Sequence, residues 1–184
     1  MELIVVGGGA EGLNLRQLAT RCVGASAGRL RVEFRGETSN EEVRDLMLHG
    51  GFTCFALACR IAPDGDRDGL PVALLEAQAC GLPTVTTNLP GFESQLVDDR
   101  GGILLPLEAE RRRVTDSPGP ERGSLAAAIA CLNDVPVLRE RLAQGARAAA
   151  ETRPDTNAIG RRLLGTLQRL LPGAVYDARP SEGG

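Results

Sequence analysis

The sequence predicts an α/β fold built on an open parallel sheet with helices on both faces. Short apolar runs of strand length alternate with longer segments in which apolar residues recur at helical spacing. Glycine-rich turns follow the predicted strands, which is typical of parallel sheets whose ligands bind at the carboxyl ends of the strands. The chain has 184 residues, of which 42% are hydrophobic, and can therefore bury one substantial core.

The individual elements follow from periodicity and from turn and capping residues. The apolar run Leu3–Val6 stops at three glycines, as buried parallel strands often do. Ser39 can cap a helix, and Gly81 ends a short apolar helix directly before another strand. The predicted strands are Leu3–Val6, Leu30–Phe34, Phe52–Cys59, Thr84–Thr87 and Gly102–Pro106, and the predicted helices run from Glu11 or Gly12 to Cys22 and over Ser39–Leu48, Val72–Cys80, Gly91–Val97, Leu125–Leu132, Pro136–Ala150 and Asn157–Leu171.

We expect one domain followed by a tail. Residues 1–106 are predicted to form the α/β core, and a polar stretch broken by Ser117-Pro118-Gly119-Pro120 makes 107–124 a surface loop. Helix-forming residues then return, so 125–171 are predicted to be helices of the same domain. From Asp177 almost no apolar side chain remains, and we expect 172–184 to be a flexible tail.

Composition and charge exclude several classes of protein. The 21 Lys and Arg stand against 24 Asp and Glu, so the net charge of −3 gives no reason to expect nucleic acid or an anionic membrane as a partner. No apolar run approaches the roughly 20 residues of a membrane span, and the N-terminus lacks a signal peptide, so we expect a cytoplasmic location. The five scattered cysteines are expected to be reduced and structural, with no metal site. His49 is expected to cap the C-terminus of a helix or to interact with its dipole.

An acidic loop punctuated by glycines runs into the helix predicted at Val72–Cys80. Asp68 lies at the junction and Glu76 lies eight residues later, about two helical turns, so both carboxylates can line the same side of one cleft. Two carboxylates beside a helix N-terminus indicate a site for a polar, anionic ligand. Two other interpretations stay open: Asp64, Asp66 and Asp68 alternate as in a calcium loop, and Asp68 can simply cap the helix.

A glycine motif near the N-terminus suggests a different ligand. Gly7–Gly12 satisfies G-x-G-x-x-G between a strand and a helix, and Glu33 lies roughly 20 residues further on, as the dinucleotide fingerprint requires. Glu33 nevertheless falls inside its predicted strand instead of at its end. An NAD-binding domain and a plain tight turn are therefore both alternatives for this segment.

The run Asp68–Thr87 resembles the signature of family 4 (group 1) retaining glycosyltransferases, which is an acid, seven residues, Glu, and then Ala-x-Ala-x-Gly-x-Pro-Val. Further similar segments follow in the family's order. They are Leu3–Ala10, Val32–Gly36, Gly101–Pro106 and Leu125–Ile129. The resemblance extends over roughly residues 1–171 and implies one half of a GT-B enzyme, the Rossmann-like C-terminal domain that binds a nucleotide-sugar donor.

The resemblance also implies roles for individual residues. Glu76 would hold the ribose hydroxyls of the nucleotide, and Asp68, where the family usually has Glu, would hold hydroxyls of the donor sugar. Backbone amides at Gly69 and Leu70 would meet the sugar and the diphosphate, and Thr38 would lie where the family's backbone contacts the base. The glycine turn with Gly7 and Gly9 would complete the donor site, and the family needs neither a bound metal nor another cofactor.

This sequence departs from the family's pattern at several places. The family carries an Arg and a Lys upstream of the first strand of this chain, and its acceptor-binding domain also precedes that strand. At the second glycine turn, Glu93 or Gln95 takes the family's acidic position, and Leu57-Ala58-Cys59 replaces a common Leu-Pro-Ser. We therefore expect the isolated chain to transfer sugar inefficiently.

The resemblance implies the donor domain of a hexosyltransferase that acts with retention. Its partners would be a nucleotide-diphosphate sugar and, through the acceptor domain, a carbohydrate, a lipid or a small molecule. The alternative is a non-catalytic module that binds a nucleotide sugar and works with a separate acceptor-domain protein. An NAD-binding domain is the third hypothesis.

Overall fold

The computed structural model describes residues 1–59, 61–62, 64–69, 71–92, 96, 100–106 and 125–171. Contacts divide the chain into two compact units, Met1–Ala150 and Glu151–Gly184. The surface loop predicted at 107–124 and the tail predicted at 172–184 lie outside the described residues. The same holds for most of the helix predicted at Gly91–Val97.

The predicted elements that lie within the described residues recur in the structure, most of them with small shifts at their ends. Strand β3 differs most, because the backbone turns where the Cys59 N–H donates to the carbonyl of Leu57 at 3.2 Å, and the strand ends there. The described strands are β1 Glu2–Val6, β2 Arg31–Gly36, β3 Phe55–Leu57, β4 Thr84–Thr87 and β5 Gly102–Leu105, and the described helices are α1 Gly12–Ala25, α2 Asn40–His49, α3 Val72–Ala79, α4 Leu125–Asp134, α5 Pro136–Glu151 and α6 Thr156–Leu170.

All described strand pairs are parallel, which confirms the predicted α/β class. Strand β1 pairs with β2, and β4 lies between β3 and β5. The strands thus form two hydrogen-bonded parallel sheets where the sequence predicts a single open one, because no strand among the described residues pairs with the second edge of β1.

Helices cover both faces of the three-stranded sheet, as predicted. On one face Val85 of β4 packs against α4 and α5, in a buried cluster with Leu105, Ala128, Leu132 and Leu142. On the other face Phe55 of β3 packs against Met47 of α2 and Leu74 of α3. Packing of helices on both faces holds β3 and β4 in place. The candidate site residues lie just beyond the ends of these strands.

The leucines of helix α1 are largely exposed, although apolar residues at helical spacing usually form a buried face. Leu13, Leu15 and Leu18 are 68%, 46% and 48% exposed. The guanidinium of Arg16 instead lies 4.6 Å from the ring centroid of Phe34 in β2. This cation–π contact joins α1 to β2.

Helix α2 begins with a complete capping box, as Ser39 predicts. The Ser39 hydroxyl accepts from the Glu42 N–H at 3.3 Å, and the Glu42 carboxylate accepts from the Ser39 N–H at 3.1 Å. Hydrogen bonding from the Ser39 side chain, and then from its backbone, lowers the pKa of Glu42. The box fixes the turn through which the chain leaves β2.

Helix α5 packs closely on the turn before β5. A Cβ at Gly145 would overlap the carbonyl oxygen of Arg100. A Cβ at Gly101 would lie 3.0 Å from the Cα of Ala146. Glycines at these two positions let the helix backbone approach the sheet.

Gly145→Ala should therefore lower the free energy of unfolding by about 1–3 kcal/mol, the usual cost of overpacking. Gly24→Ala in α1 is the matched control, because a Cβ there has no neighbour within 4 Å, and it should be neutral or stabilise the protein by up to about 1 kcal/mol. Urea unfolding of both variants measures the difference. A Gly145→Ala protein as stable as the native one would contradict the close approach.

Ser39→Ala should lower the free energy of unfolding by about 1 kcal/mol at neutral pH through loss of the N-cap. Because the pKa of Glu42 is lowered in the folded state, its contribution is present above its ordinary pKa and is lost as the pH falls through the lowered value. The difference in free energy of unfolding between the native protein and the variant should therefore be smaller in acid. Urea unfolding in neutral and acidic buffer tests this, and a gap independent of pH would count against the capping box.

Candidate functional site

The carboxyl ends of β1 and β2 meet in two glycine turns. The Gly7 N–H donates to the carbonyl of Gly36 at 2.7 Å, so the two turns lie side by side. Gly7 and Gly9 have φ of 114° and 148°, and Gly36 has φ of 70°, which are values that favour glycine. The structure thus brings Gly7, Gly9 and the Gly36–Thr38 turn to one edge of the sheet.

An open cavity of about 650 Å³ lies between β2 and α2, and Thr38 is part of its lining. Most of the other lining side chains are charged, including Glu33, Arg35 and Glu37. Glu33, the acid that the dinucleotide fingerprint requires, lies within β2. Its Oε1 lies 2.8 Å from Arg35 Nε, so the two side chains form an ion pair. Glu37 Oε1 lies 3.3 Å from the position of a Cβ on Gly8, which places this carboxylate against the glycine turn.

Backbone hydrogen bonds close the acidic loop after β3. The Ala62 N–H donates to the carbonyl of Asp66 at 2.8 Å, and the Gly65 N–H donates to the carbonyl of Ala62 at 2.9 Å. Asp64 Oδ1 accepts from the Asp66 N–H at 3.1 Å, so this carboxylate supports the loop itself. In the described part of the chain, no group of three His, Cys, Asp or Glu side chains is arranged to hold a metal ion.

Asp68 is exposed and is held by the end of β3 instead of by the helix. The Cys59 thiol donates to Asp68 Oδ2 at 3.2 Å. Helix α3 begins at Val72 with Pro71 as its N-cap and has no side-chain hydrogen bond at the cap. The interpretation of Asp68 as a helix cap is therefore wrong. The helical spacing assumed between Asp68 and Glu76 is also wrong, because Asp68 precedes the helix by a non-helical segment.

The loop that contains Asp68 also contacts the turn after β4. The carbonyl oxygen of Gly69 lies 3.6 Å from the position of a Cβ on Gly91, whose φ of 100° favours glycine. The structure therefore places Asp68 and Gly69 between the ends of two neighbouring strands. Leu70, together with Glu93 and Gln95, lies outside the described residues.

Glu76 is exposed in α3, whose neighbouring residues Leu74, Ala77 and Gln78 are fully buried. Burial raises the pKa of the Cys80 thiol, the Glu76 carboxylate adds to that rise, and the guanidinium groups of Arg147 and Arg44 oppose it. Glu76 thus lies on the side of α3 that carries Cys80, together with charges from α2 and α5. The Arg147 side chain also donates to the carbonyl of Ala79, at the C-terminus of α3.

The site residues predicted from the sequence fall into two groups, each after the carboxyl ends of parallel strands. Gly7, Gly9 and Thr38 follow β1 and β2, whereas Asp68, Gly69 and Glu76 follow β3. Sequence reasoning missed the contact of Glu37 with the glycine turn and the bond from Cys59 to Asp68. The only signal for Cys59 was its place at the end of a predicted strand, since no local pattern shows where its thiol points.

The sequence of this chain is similar to those of bacterial glycosyltransferases. It is 31% identical over 116 residues to the amylovoran biosynthesis glycosyltransferase AmsK of Erwinia amylovora, covering 63% of this chain and 26% of the relative. It is 26% identical over 168 residues to a GDP-mannose-dependent monoacylated alpha-(1-6)-phosphatidylinositol monomannoside mannosyltransferase of Corynebacterium glutamicum, covering 91% and 39%. The chain thus spans well under half the length of these relatives.

Solved structures share the fold. The Anabaena protein Alr3699/HepE in complex with UDP superposes with a TM-score of 0.63 at 23% identity, covering 90% of this chain and 40% of that one. Sucrose-phosphate synthase from Thermosynechococcus elongatus superposes with a TM-score of 0.65 at 18% identity, covering 94% and 39%. These likenesses show the fold of GT-B glycosyltransferases.

Two further observations bear on what kind of protein this is. Across the residues that the structure describes, no helix combines the length and the apolar character needed to cross a membrane. The family model described as "Glycosyl transferases group 1" matches residues 1–115, more than half of the chain. The chain therefore belongs to the group 1 glycosyl transferases.

Proposed function

We propose that this chain is the C-terminal, donor-binding half of a retaining glycosyltransferase, which transfers a hexose from a nucleotide-diphosphate sugar to an acceptor. The observation that carries the proposal is the placement of Asp68 and Glu76, one on the loop after β3 and the other on the exposed side of α3. Both side chains are exposed, so Glu76 and the second oxygen of Asp68 can accept hydrogen bonds from the hydroxyl groups of a sugar.

Carboxylates suit the hydroxyl-bearing parts of a nucleotide sugar. An ionised carboxylate offers two acceptor oxygens, and its bonds to hydroxyl groups are charge-assisted. We assign Asp68 to hydroxyls of the donor sugar and Glu76 to the ribose. Glu76 lies on the side of α3 where the charge of Arg44, in α2, also acts. This placement supports the assignment to the ribose, because α2 follows the turn that contains Thr38, and Thr38 is assigned to the base.

The glycine turns and the start of α3 are proposed to receive the diphosphate and the base. Backbone N–H groups exposed at glycine turns and at helix N-termini attract anions. Gly7 and Gly9 would approach the diphosphate together with Gly69 and Leu70, and the backbone at Thr38 would contact the base. The nucleotide sugar is a substrate, and we propose no resident cofactor.

We propose that the acceptor binds to a part of the enzyme that lies outside the segment to which this chain corresponds. The chain spans 26% of AmsK and 39% of the Corynebacterium mannosyltransferase. The Arg and Lys that would neutralise the diphosphate are assigned to the same part. A non-catalytic module acting with a separate acceptor-domain protein would use the same donor site.

Thermal unfolding with a panel of ligands tests the proposal. A ligand that binds only the folded state at 100 times its dissociation constant stabilises the protein by about 2.7 kcal/mol. UDP-glucose, GDP-mannose and ADP-glucose are the donors to compare, and at least one should raise the melting temperature. Protection by NAD and by none of these sugars would overturn the proposal in favour of the dinucleotide interpretation.

Glu76→Ala should weaken binding of the preferred nucleotide sugar by about 10- to 100-fold, because charge-assisted hydrogen bonds to the ribose are lost. The free nucleoside diphosphate should weaken similarly, since it carries the same ribose. Isothermal titration calorimetry measures both affinities, and circular dichroism should report an unchanged fold. Glu140→Ala, an exposed glutamate in α5, is the matched control, and an equal affinity in the two variants would refute the role of Glu76.

A further inference from the structure

Cys59 and Asp68 form a pair that links the end of a strand to the acidic loop. Cys59 is partly buried just beyond β3, where it packs against a cluster of three fully buried side chains, Leu74, Leu89 and Phe92. Its thiol donates to Asp68 Oδ2 at 3.2 Å. Among the described residues, no other hydrogen bond to this carboxylate is present. The bond therefore joins an exposed acid to the packed core.

We propose that Cys59 is a positioning residue for the donor sugar, holding one oxygen of Asp68 so that the other accepts from a sugar hydroxyl. This proposal rests on the proposed function, in which Asp68 contacts the sugar. Asp68 lies on a loop, and an exposed carboxylate without such a bond would sample several rotamers. The thiol reduces that freedom before the ligand arrives, which lowers the ordering cost of binding.

The donor role of the thiol requires that it stay protonated. Burial, reinforced by the hydrogen bond to Asp68 and by its negative charge, raises the pKa of Cys59 to about 12. The thiol is therefore a hydrogen-bond donor throughout the neutral range, and it is not a nucleophile.

The substitutions Cys59→Ala and Cys59→Ser separate positioning from packing. Alanine removes the donor, whereas serine keeps a hydroxyl donor at the same place. We expect Cys59→Ala to weaken binding of UDP-glucose or GDP-mannose, whichever the native chain prefers, by about three- to tenfold. The corresponding UDP or GDP should bind within about twofold of the native affinity, because Asp68 is assigned to the sugar alone. Cys59→Ser should recover most of the loss, and Cys131→Ala, an exposed cysteine on α4, should change nothing.

Each result of the calorimetry has a distinct meaning. Equal weakening of the nucleotide and the nucleotide sugar would show a structural role for Cys59 and overturn the positioning role. An unchanged affinity for the sugar nucleotide in Cys59→Ala would overturn it as well, while leaving the proposed function intact. If the native chain binds none of UDP-glucose, GDP-mannose and ADP-glucose, the proposed function fails, and the positioning role fails with it.

Infrared spectroscopy tests the bond itself without any ligand. The difference spectrum between native protein and Cys59→Ser isolates the S–H stretch of Cys59. Asp68→Asn should shift this band to higher frequency, because a neutral amide oxygen accepts more weakly than a carboxylate. An unshifted band would show that the thiol does not donate to Asp68 and would overturn the proposal whatever the binding data.

Discussion

Strand β4 carries threonines where a buried strand usually carries aliphatic residues, and their hydroxyls tie the neighbouring strands to it. Thr86 Oγ1 donates to the carbonyl of Leu57 at 2.8 Å, and Thr84 Oγ1 donates to the carbonyl of Gly101 at 3.4 Å. Both threonines are fully buried, so these bonds avoid the cost of unpaired hydroxyl groups in the core. Gly102 must be glycine because a Cβ there would overlap Thr84. The register of β3, β4 and β5 depends on these contacts.

The register of β3, β4 and β5 determines where part of the candidate site lies. Because Leu57 is fixed against Thr86, the chain turns at Cys59 and presents its thiol to Asp68. Glu76 is positioned differently, since the buried residues on either side of it set the rotation of α3. The two acids thus belong to different parts of the structure, one held by a loop hydrogen bond and the other by helix packing. A substitution in the loop would therefore move Asp68 without moving Glu76.

Features set by neighbours in sequence could be predicted, whereas features set by distant parts of the chain could not. The Ser39 cap, the parallel class and the glycine turns follow from local patterns, and the structure agrees with them. The carbonyl of Leu57 at the end of β3 accepts from Thr86 in the next strand, and Arg16 of α1 meets Phe34 of β2. The error about Asp68 has the same origin, because an acid before a helix suggests a cap only while its distant partner Cys59 is unknown.

The charges around the site limit what the described residues can do to a diphosphate. Glu37, Asp68 and Glu76 favour hydroxyl groups and repel phosphate oxygens. Two of the cations near the site have partners within the protein, since Arg44 lies 3.8 Å from Glu41 and 3.5 Å from Asp45, and the Arg147 side chain donates to the carbonyl of Ala79. Backbone N–H groups at the glycine turns can also attract a diphosphate, but their partial charges are weaker than the full charge of a side-chain cation. Under the proposed function, these carboxylates would select the sugar and the ribose, and we expect affinity for the diphosphate to rise when the Arg and Lys assigned to the rest of the enzyme are present.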